Sequence, residues 1–166
     1  DDSARPVAGG VRADLPAAYH GRLMAGALAK QTDHARIWAR WEGSTATLRG
    51  DPRGRPGFSD AAYARAFSRI ECHYFHNRGF LSEDGHILKN VGALRDIPGV
   101  IVQGRYDMVC PPRSAWELSQ NWPRSELRLV GDAGHALSEP GITTELLAAT
   151  DAFRDISRRR ARALAR

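Results

Sequence analysis

Ile97-Pro-Gly-Val-Ile-Val-Gln-Gly-Arg-Tyr-Asp107 is the segment that most strongly indicates the fold of this chain. It is a short apolar run, rich in β-branched residues and ended by Gly104, so it predicts a buried parallel strand that delivers Asp107 to the loop at its carboxyl end. Leu127-Arg-Leu-Val130 repeats the pattern, and the glycine-punctuated turn after it carries His135. We therefore expect an acid and an imidazole to lie together at the ends of two neighbouring strands.

Helical patterns surround these two strands. One helix is predicted from Leu15, a second behind a cap at Thr32 or Asp33, and a third from Ala61 to about His76 behind a cap at Ser59 or Asp60. Two more are predicted at 114–121 and after Gly141, on either side of the second strand. The first helix has Leu15, Tyr19, Leu23 and Ala27 on one face, the second has Ile37, Trp38, Trp41, Ser44, Thr45 and Leu48 at spacings of three and four, and the third has the apolar stripe Tyr63, Phe67, Ile70 and Tyr74. In the last two helices we expect an inward face of Trp116 and Leu118 and a core face of Thr143, Leu146, Leu147, Thr150 and Phe153.

The order of these elements predicts the domain organisation. Residues 1–13 are a loose lead-in, residues 14–80 an all-helical segment interrupted by a glycine- and proline-rich loop at 50–57, and residues 81–166 run strand, helix, strand, helix. Two strands are too few for a doubly wound sheet. In an α/β-hydrolase a helical cap precedes the last strands, so the predicted class is α/β: the carboxyl-terminal part of an α/β-hydrolase fold, with parallel strands and flanking helices, preceded by an all-helical cap.

The formal charge of +5 and the pI near 9.8 invite a nucleic-acid or membrane-surface partner. Many of the basic residues, however, lie in Arg154 and in 157–166, where cations favour the carboxyl terminus of a helix. A solvated helix end is the simpler interpretation. We expect no nucleic-acid partner and no membrane partner.

Cysteine usage and hydropathy indicate a compartment. Cys72 and Cys110 form neither a Cys-x-x-Cys pair nor a disulfide framework, and the chain shows no signal peptide and no apolar stretch of membrane-spanning length. Reduced thiols and a cytoplasmic location are expected.

Asp107 followed by His135 has the chain order of the acid and the base in α/β-hydrolases, where a serine in Gly-x-Ser-x-Gly comes first. No such motif occurs in these residues. The nearest match, Gly57-Phe-Ser-Asp-Ala61, lacks the second glycine and has no strand before it. Taken singly, Asp107 could be a turn residue and His135 a loop histidine.

Two glutamates and two histidines of the helical segment are further candidates. Glu42 lies one turn beyond Trp38 and is either a ligand or an exposed helix carboxylate. Glu71 lies among aromatic residues and either forms an ion pair with Arg69 or Arg78 or binds an apolar ligand that carries a positive charge. His73 and His76 are three residues apart without a clear third ligand, so we expect no metal site and no cofactor.

Several blocks in fixed order resemble one family. From about Asp14 to Phe153 the chain is similar to the carboxyl-terminal half of proline iminopeptidases, which are the prolyl aminopeptidase branch of α/β-hydrolase serine peptidases. The similar blocks are Trp38-Ala-Arg-Trp-Glu42, Arg69-Ile-Glu-Cys-His-Tyr-Phe75, Ile97 to Asp107, Cys110-Pro111, Ala115-Trp-Glu-Leu118, Ala133-Gly-His135 and Glu139-Pro140. Within them Ala136 and Cys72 depart from the family's frequent serine and asparagine, and the family's nucleophile elbow has no counterpart.

The resemblance implies a function for each candidate residue. These enzymes remove an amino-terminal proline from peptides, so it implies that Asp107 is the catalytic acid and His135 the general base. It also implies that Glu42 and Glu71 bind the cationic amino terminus of the substrate. Peptides that begin with proline are the implied partners, and the chain alone, without the serine, is expected to be inactive.

Two other functions stay open at this point. A different α/β-hydrolase, such as an epoxide hydrolase or an esterase, would share Asp107 and His135 and would not need the paired glutamates. A non-catalytic basic interaction fragment would need neither pair.

Overall fold

The computed structural model describes residues 15–50 and 60–164, and of residues 155–164 it describes the backbone only. These residues form two compact units, one of residues 15–45, 49–50 and 60–86 and one of residues 46–48 and 87–164. The predicted lead-in, all of the predicted loop except Gly50, the alternative cap Ser59 and the basic side chains of 157–166 lie outside this description.

The first unit is built from three helices. These are α1 (Leu15–Met24), α2 (Leu28–Thr45) and α3 (Ala61–His76), followed by a short 3₁₀ turn at Arg78–Phe80. The predicted bounds of α3 are confirmed, and of its two predicted caps the structure shows Asp60, whose Oδ1 accepts the backbone N–H of Tyr63 at 2.7 Å. Gly79 has a φ of 63°, the left-handed conformation predicted after this helix.

The start of α2 differs from the prediction. The helix begins at Leu28, and Thr32 lies inside it, with its hydroxyl donating to the Leu28 carbonyl oxygen at 2.8 Å. The chain turns just before α2 at Gly26, whose φ of 84° is one that glycine adopts without strain. This turn allows the helix to start four residues before the predicted cap.

The buried face of α3 also differs from the predicted apolar stripe. Tyr63, Ile70 and Tyr74 are 49%, 63% and 53% exposed. Small side chains are buried instead, namely Ala64, Ser68 and Cys72, which recur every four residues. They allow close packing against α1 and α2, and the Ser68 hydroxyl donates to the Ala35 carbonyl oxygen of α2 at 2.9 Å. Tyr19, Leu23 and Trp38 complete this core.

The second unit contains the sheet. It begins with a short helix, α4 (His86–Lys89), whose first residue belongs to the first unit, and a 3₁₀ turn (Val91–Leu94). These are followed in chain order by β1 (Gly99–Gly104), α5 (Pro112–Asn121), β2 (Ser125–Val130) and α6 (Pro140–Leu164). The two strands are parallel, as predicted, and Gly104 pairs with Val130. Because both strands end at the same level, the loops that carry Asp107 and His135 leave the same edge of the sheet.

Packing around this sheet corrects three expectations. β1 is only half-buried except at Gln103 and Gly104. Ala115 is the buried residue of α5, whereas Trp116 is 55% exposed. Among residues 140–154 of α6, whose side chains the structure describes, the buried ones are Ile142 and Ala149, two turns apart, and Leu147 is 61% exposed. In both helices, small or branched side chains beside the predicted ones are buried.

Among the described residues, no helix is long and apolar enough to cross a membrane.

Candidate active site

Asp107 is held by a tight turn at the end of β1. The residue is 7% exposed, and its Oδ1 accepts the backbone N–H groups of Val109 and Cys110 at 2.9 and 2.7 Å. These two bonds fix one carboxylate oxygen against the backbone. The other oxygen is left to face the loop after β2.

His135 is the residue that this second oxygen meets. Its Nδ1 lies 3.0 Å from Asp107 Oδ2, and its side chain is 41% exposed whereas that of Asp107 is 6% exposed. A carboxylate can only accept, so Nδ1 carries a proton in this pair and Nε2 of the neutral ring is an acceptor. The structure thus brings Asp107 and His135 together as the strand pattern predicts, in an arrangement able to act as a general base.

Three backbone bonds hold the His135 loop. The Tyr106 N–H donates to the Ala133 carbonyl oxygen at 3.0 Å, and the carbonyl oxygen of Ala46 accepts the N–H groups of His135 and Ala136 at 3.0 and 2.7 Å. The loop also approaches β1 closely, because a Cβ on Gly104 would lie 1.9 Å from the Gly134 carbonyl oxygen. Only glycine fits at position 104.

Two side chains that support this pair were not among the predicted site residues. Gln103 donates from Nε2 to Asp107 Oδ2 at 3.2 Å and to the Cys110 carbonyl oxygen at 3.0 Å. Glu139 Oε1 accepts the Gly134 N–H at 2.7 Å, beside the histidine. A polar residue in an otherwise apolar strand was the available signal for Gln103, whereas only the Glu139-Pro140 block pointed to Glu139.

Glu71 lies in the first unit, among aromatic rings as expected. Its Oε2 accepts the indole N–H of Trp38 at 2.6 Å, and the half-buried carboxylate is thereby oriented by a buried ring. Trp38 is itself held by rings on three sides, with centroid distances of 5.1 Å to Tyr19, 5.5 Å to Trp41 and 6.1 Å to Phe75.

Glu42 is 7% exposed, so the expectation of an exposed helix carboxylate is wrong. The carboxylates of Glu42 and Glu71 both affect the pKa of the Cys72 thiol. Burial, and after it the negative charges of Glu71 and Glu42, together raise the pKa of the Cys72 thiol to about 12. The two carboxylates therefore lie close to one buried thiol of the first unit.

The histidines of α3 have a partner that the sequence did not indicate. His20 of α1 stacks on His76 and on His73, with ring centroids 4.5 and 5.6 Å apart. Even so, no group of three or more His, Cys, Asp or Glu side chains able to hold a metal ion occurs in the described part of the chain.

Comparison with known proteins gives a consistent result. The chain is 47% identical over 148 residues to a probable proline iminopeptidase of Leptolyngbya boryana, which covers 89% of this chain and 46% of that protein. It is 48% identical over 134 residues to the proline iminopeptidase of Arabidopsis thaliana, covering 81% of this chain and 35% of that protein. The proline iminopeptidase of Xanthomonas citri is 44% identical over 142 residues, or 86% of this chain and 45% of that protein.

No family model matches the chain. The chain spans about half the length, or less, of the curated relatives that it matches. Its identity to them is nonetheless high and covers most of its residues, in agreement with the resemblance of the separate sequence blocks. By its sequence, the chain belongs to the proline iminopeptidase family.

Proposed function

We propose that this chain is the carboxyl-terminal part of a serine-type aminopeptidase that releases amino-terminal proline from peptides. The 3.0 Å contact between His135 Nδ1 and Asp107 Oδ2 carries the proposal, because it leaves Nε2 available to a nucleophile. Residues 81–166 would then be the last part of an α/β-hydrolase domain, residues 14–80 its all-helical cap and residues 1–13 a lead-in. The reduced thiols fit a cytoplasmic enzyme.

The proposed chemistry is that of an acyl transfer. His135 Nε2 takes the proton of a serine hydroxyl as the serine oxygen attacks the prolyl carbonyl carbon, and then gives that proton to the leaving amine. Asp107 keeps Nδ1 protonated and stabilises the imidazolium that forms. Water then attacks the prolyl ester, with His135 again as the base, and proline is released.

The proposed substrate contacts follow from the first unit. Proline is an apolar ring with a secondary ammonium at the amino terminus of a peptide. Glu42 and Glu71 supply negative charge for the ammonium, and the rings around Trp38 supply apolar walls. An internal proline has no charged nitrogen, so these contacts favour an exopeptidase.

A chimaera tests the function directly. Residues 15–164 replace the matching segment of the Xanthomonas citri proline iminopeptidase, and release of the arylamine from a prolyl arylamide is measured. We expect turnover that His135→Ala and Asp107→Asn reduce by roughly a thousandfold or more, as in other triads. A folded chimaera without turnover would reject the proposal.

Substrate variants separate this function from that of another α/β-hydrolase. An N-acetylprolyl aryl ester has no charged terminus and should be cleaved far more slowly than the free prolyl aryl ester, whereas an esterase would accept both. Faster turnover of the acetylated substrate than of the free one would favour the esterase.

The 166 residues alone should release no proline, because they hold no Gly-x-Ser-x-Gly motif. The same arylamide assay on this chain checks that expectation. Turnover that disappears on His135→Ala would contradict it.

A further inference from the structure

Gln103 is a buried polar side chain at the end of a strand of apolar residues. It is 9% exposed, and a buried amide is stable only when its polar atoms have partners. Its Nε2 lies 3.2 Å from Asp107 Oδ2, 3.0 Å from the Cys110 carbonyl oxygen and 3.2 Å from the Gly104 carbonyl oxygen. All three of these partners are acceptors.

The surroundings therefore decide which end of the amide faces inward. The nitrogen carries two hydrogens, whereas the amide oxygen would face three acceptors if the group were turned over. Position 103 thus requires a donor. A glutamate of the same size would place its own carboxylate against these three oxygens.

We infer that Gln103 is a positioning residue that sets the rotation of the Asp107 carboxylate toward His135. The two backbone N–H groups hold only Oδ1, so the carboxylate could still turn about its Cβ–Cγ bond. A donor on Oδ2 that comes from β1 removes this freedom. The second bond of Gln103, to the Cys110 carbonyl oxygen, ties the end of the same turn to the strand.

The consequence concerns the proton on His135. With Oδ2 fixed toward the ring, the Nδ1–H tautomer is favoured and Nε2 stays an acceptor. Without Gln103 the carboxylate turns away and the ring samples both tautomers. The effect of Gln103 on catalysis rests on the proposed function. Its effect on the His135 tautomer is independent of that function.

NMR of the full 166-residue chain tests the inference. The ¹⁵N shifts of the His135 ring nitrogens, measured where the ring is neutral, should show the Nδ1–H tautomer in the unaltered chain. Gln103→Leu and Gln103→Glu should both lose it and show a mixture. Gln120→Leu, the same change at an exposed position of α5, should keep it.

If Gln103→Leu and Gln103→Glu fold and keep the Nδ1–H tautomer of His135, the inference is overturned. A lower resistance of these variants to denaturant would not rescue it, because a residue that only stabilises the fold would give the same result. If both variants fail to fold, hydrogen exchange in the unaltered chain tests the inference instead. The side-chain amide hydrogens of Gln103 should exchange with solvent at least roughly tenfold more slowly than those of Gln120. Equal exchange rates would overturn the inference.

The chimaera separates this inference from the proposed function. There Gln103→Leu should lower kcat by roughly tenfold to a hundredfold with KM little changed, since one hydrogen bond to a charged group is lost. A chimaera without activity, combined with loss of the tautomer in the variants, would reject the peptidase function and support the positioning role. An active chimaera with unchanged kcat in Gln103→Leu would reject the role.

Discussion

At the scale of single residues, Asp107 illustrates how a buried carboxylate is satisfied. Its donors are the backbone of Val109 and Cys110, the amide of Gln103 and the ring of His135. The sequence indicated Asp107 and His135, because each follows a strand-like run. It did not indicate Gln103 as a partner, since the turn that brings position 103 back to position 107 has no signature of its own.

Glu71 gives a prediction at this scale. In the chimaera, Glu71→Gln should weaken substrate binding by about 2 to 4 kcal/mol, seen mainly as a higher KM, because in the proposed complex the substrate ammonium would lose its counter-charge. Glutamine still offers an oxygen to the Trp38 N–H, so the change removes the charge and keeps the contact. Steady-state kinetics with the prolyl arylamide measures the effect.

The matched control is Glu83→Gln, which changes an exposed glutamate of the same unit and should leave KM as it was. An unaltered KM in Glu71→Gln would exclude Glu71 as a ligand.

At the scale of elements, the close approach of β1 and the His135 loop depends on one glycine. Gly104→Ala would place a Cβ 1.9 and 2.7 Å from the carbonyl oxygens of Gly134 and Ala133, which are backbone atoms and cannot rotate away. We expect the variant to lose about 1 to 3 kcal/mol in its free energy of unfolding. We also expect it to lose the Nδ1–H tautomer of His135, which urea titration and NMR would show respectively.

Gly92→Ala is the control, since a Cβ at position 92 meets no atom within 4 Å. Equal stability of the two variants would show that the loop moves aside without cost.

The contact between α1 and α3 gives a prediction about pH. Burial lowers the pKa of His20 from its ordinary value of 6.5, and the neighbouring His76 and His73 lower it further. A group whose folded pKa is depressed stabilises the fold above its unfolded pKa, and that contribution is lost as the pH falls through the folded value. The chain should therefore become less stable from pH 6.5 downward.

Urea unfolding at about pH 7.5 and about pH 5 checks this expectation, since the first value lies above the ordinary histidine pKa of 6.5 and the second lies below it. His20→Gln should show a smaller loss of stability on acidification than the unaltered chain, whereas His86→Gln, outside the cluster, should show nearly the full loss. An equal loss in His20→Gln would contradict the prediction.

For the whole molecule, a short segment of the chain groups with a unit made mainly of residues that come much later in the sequence. Residues 46–48 group with residues 87–164, and the Ala46 carbonyl oxygen accepts the N–H groups of His135 and Ala136. A chain shortened to residues 87–166 should therefore exchange these two amide hydrogens roughly tenfold faster or more, as two bonds are lost. Hydrogen-exchange NMR gives the comparison.

The amides of β2 serve as the internal control, because their partners in β1 are retained in the shortened chain. Unchanged protection of His135 and Ala136 would show that Ala46 does not hold the loop.

From the sequence we could predict the two strands, the bounds of α3 with two candidate caps, and the position of Asp107 and His135 at adjacent strand ends. These depend on local patterns, namely β-branched runs, helix caps and glycine stops. Tertiary packing set the buried faces of α3, α5 and α6, the donor role of Gln103, the contact of Ala46 with the His135 loop and the stacking of His20 on α3. Each of these depends on the space and the distances between residues far apart in the chain, which no local pattern specifies.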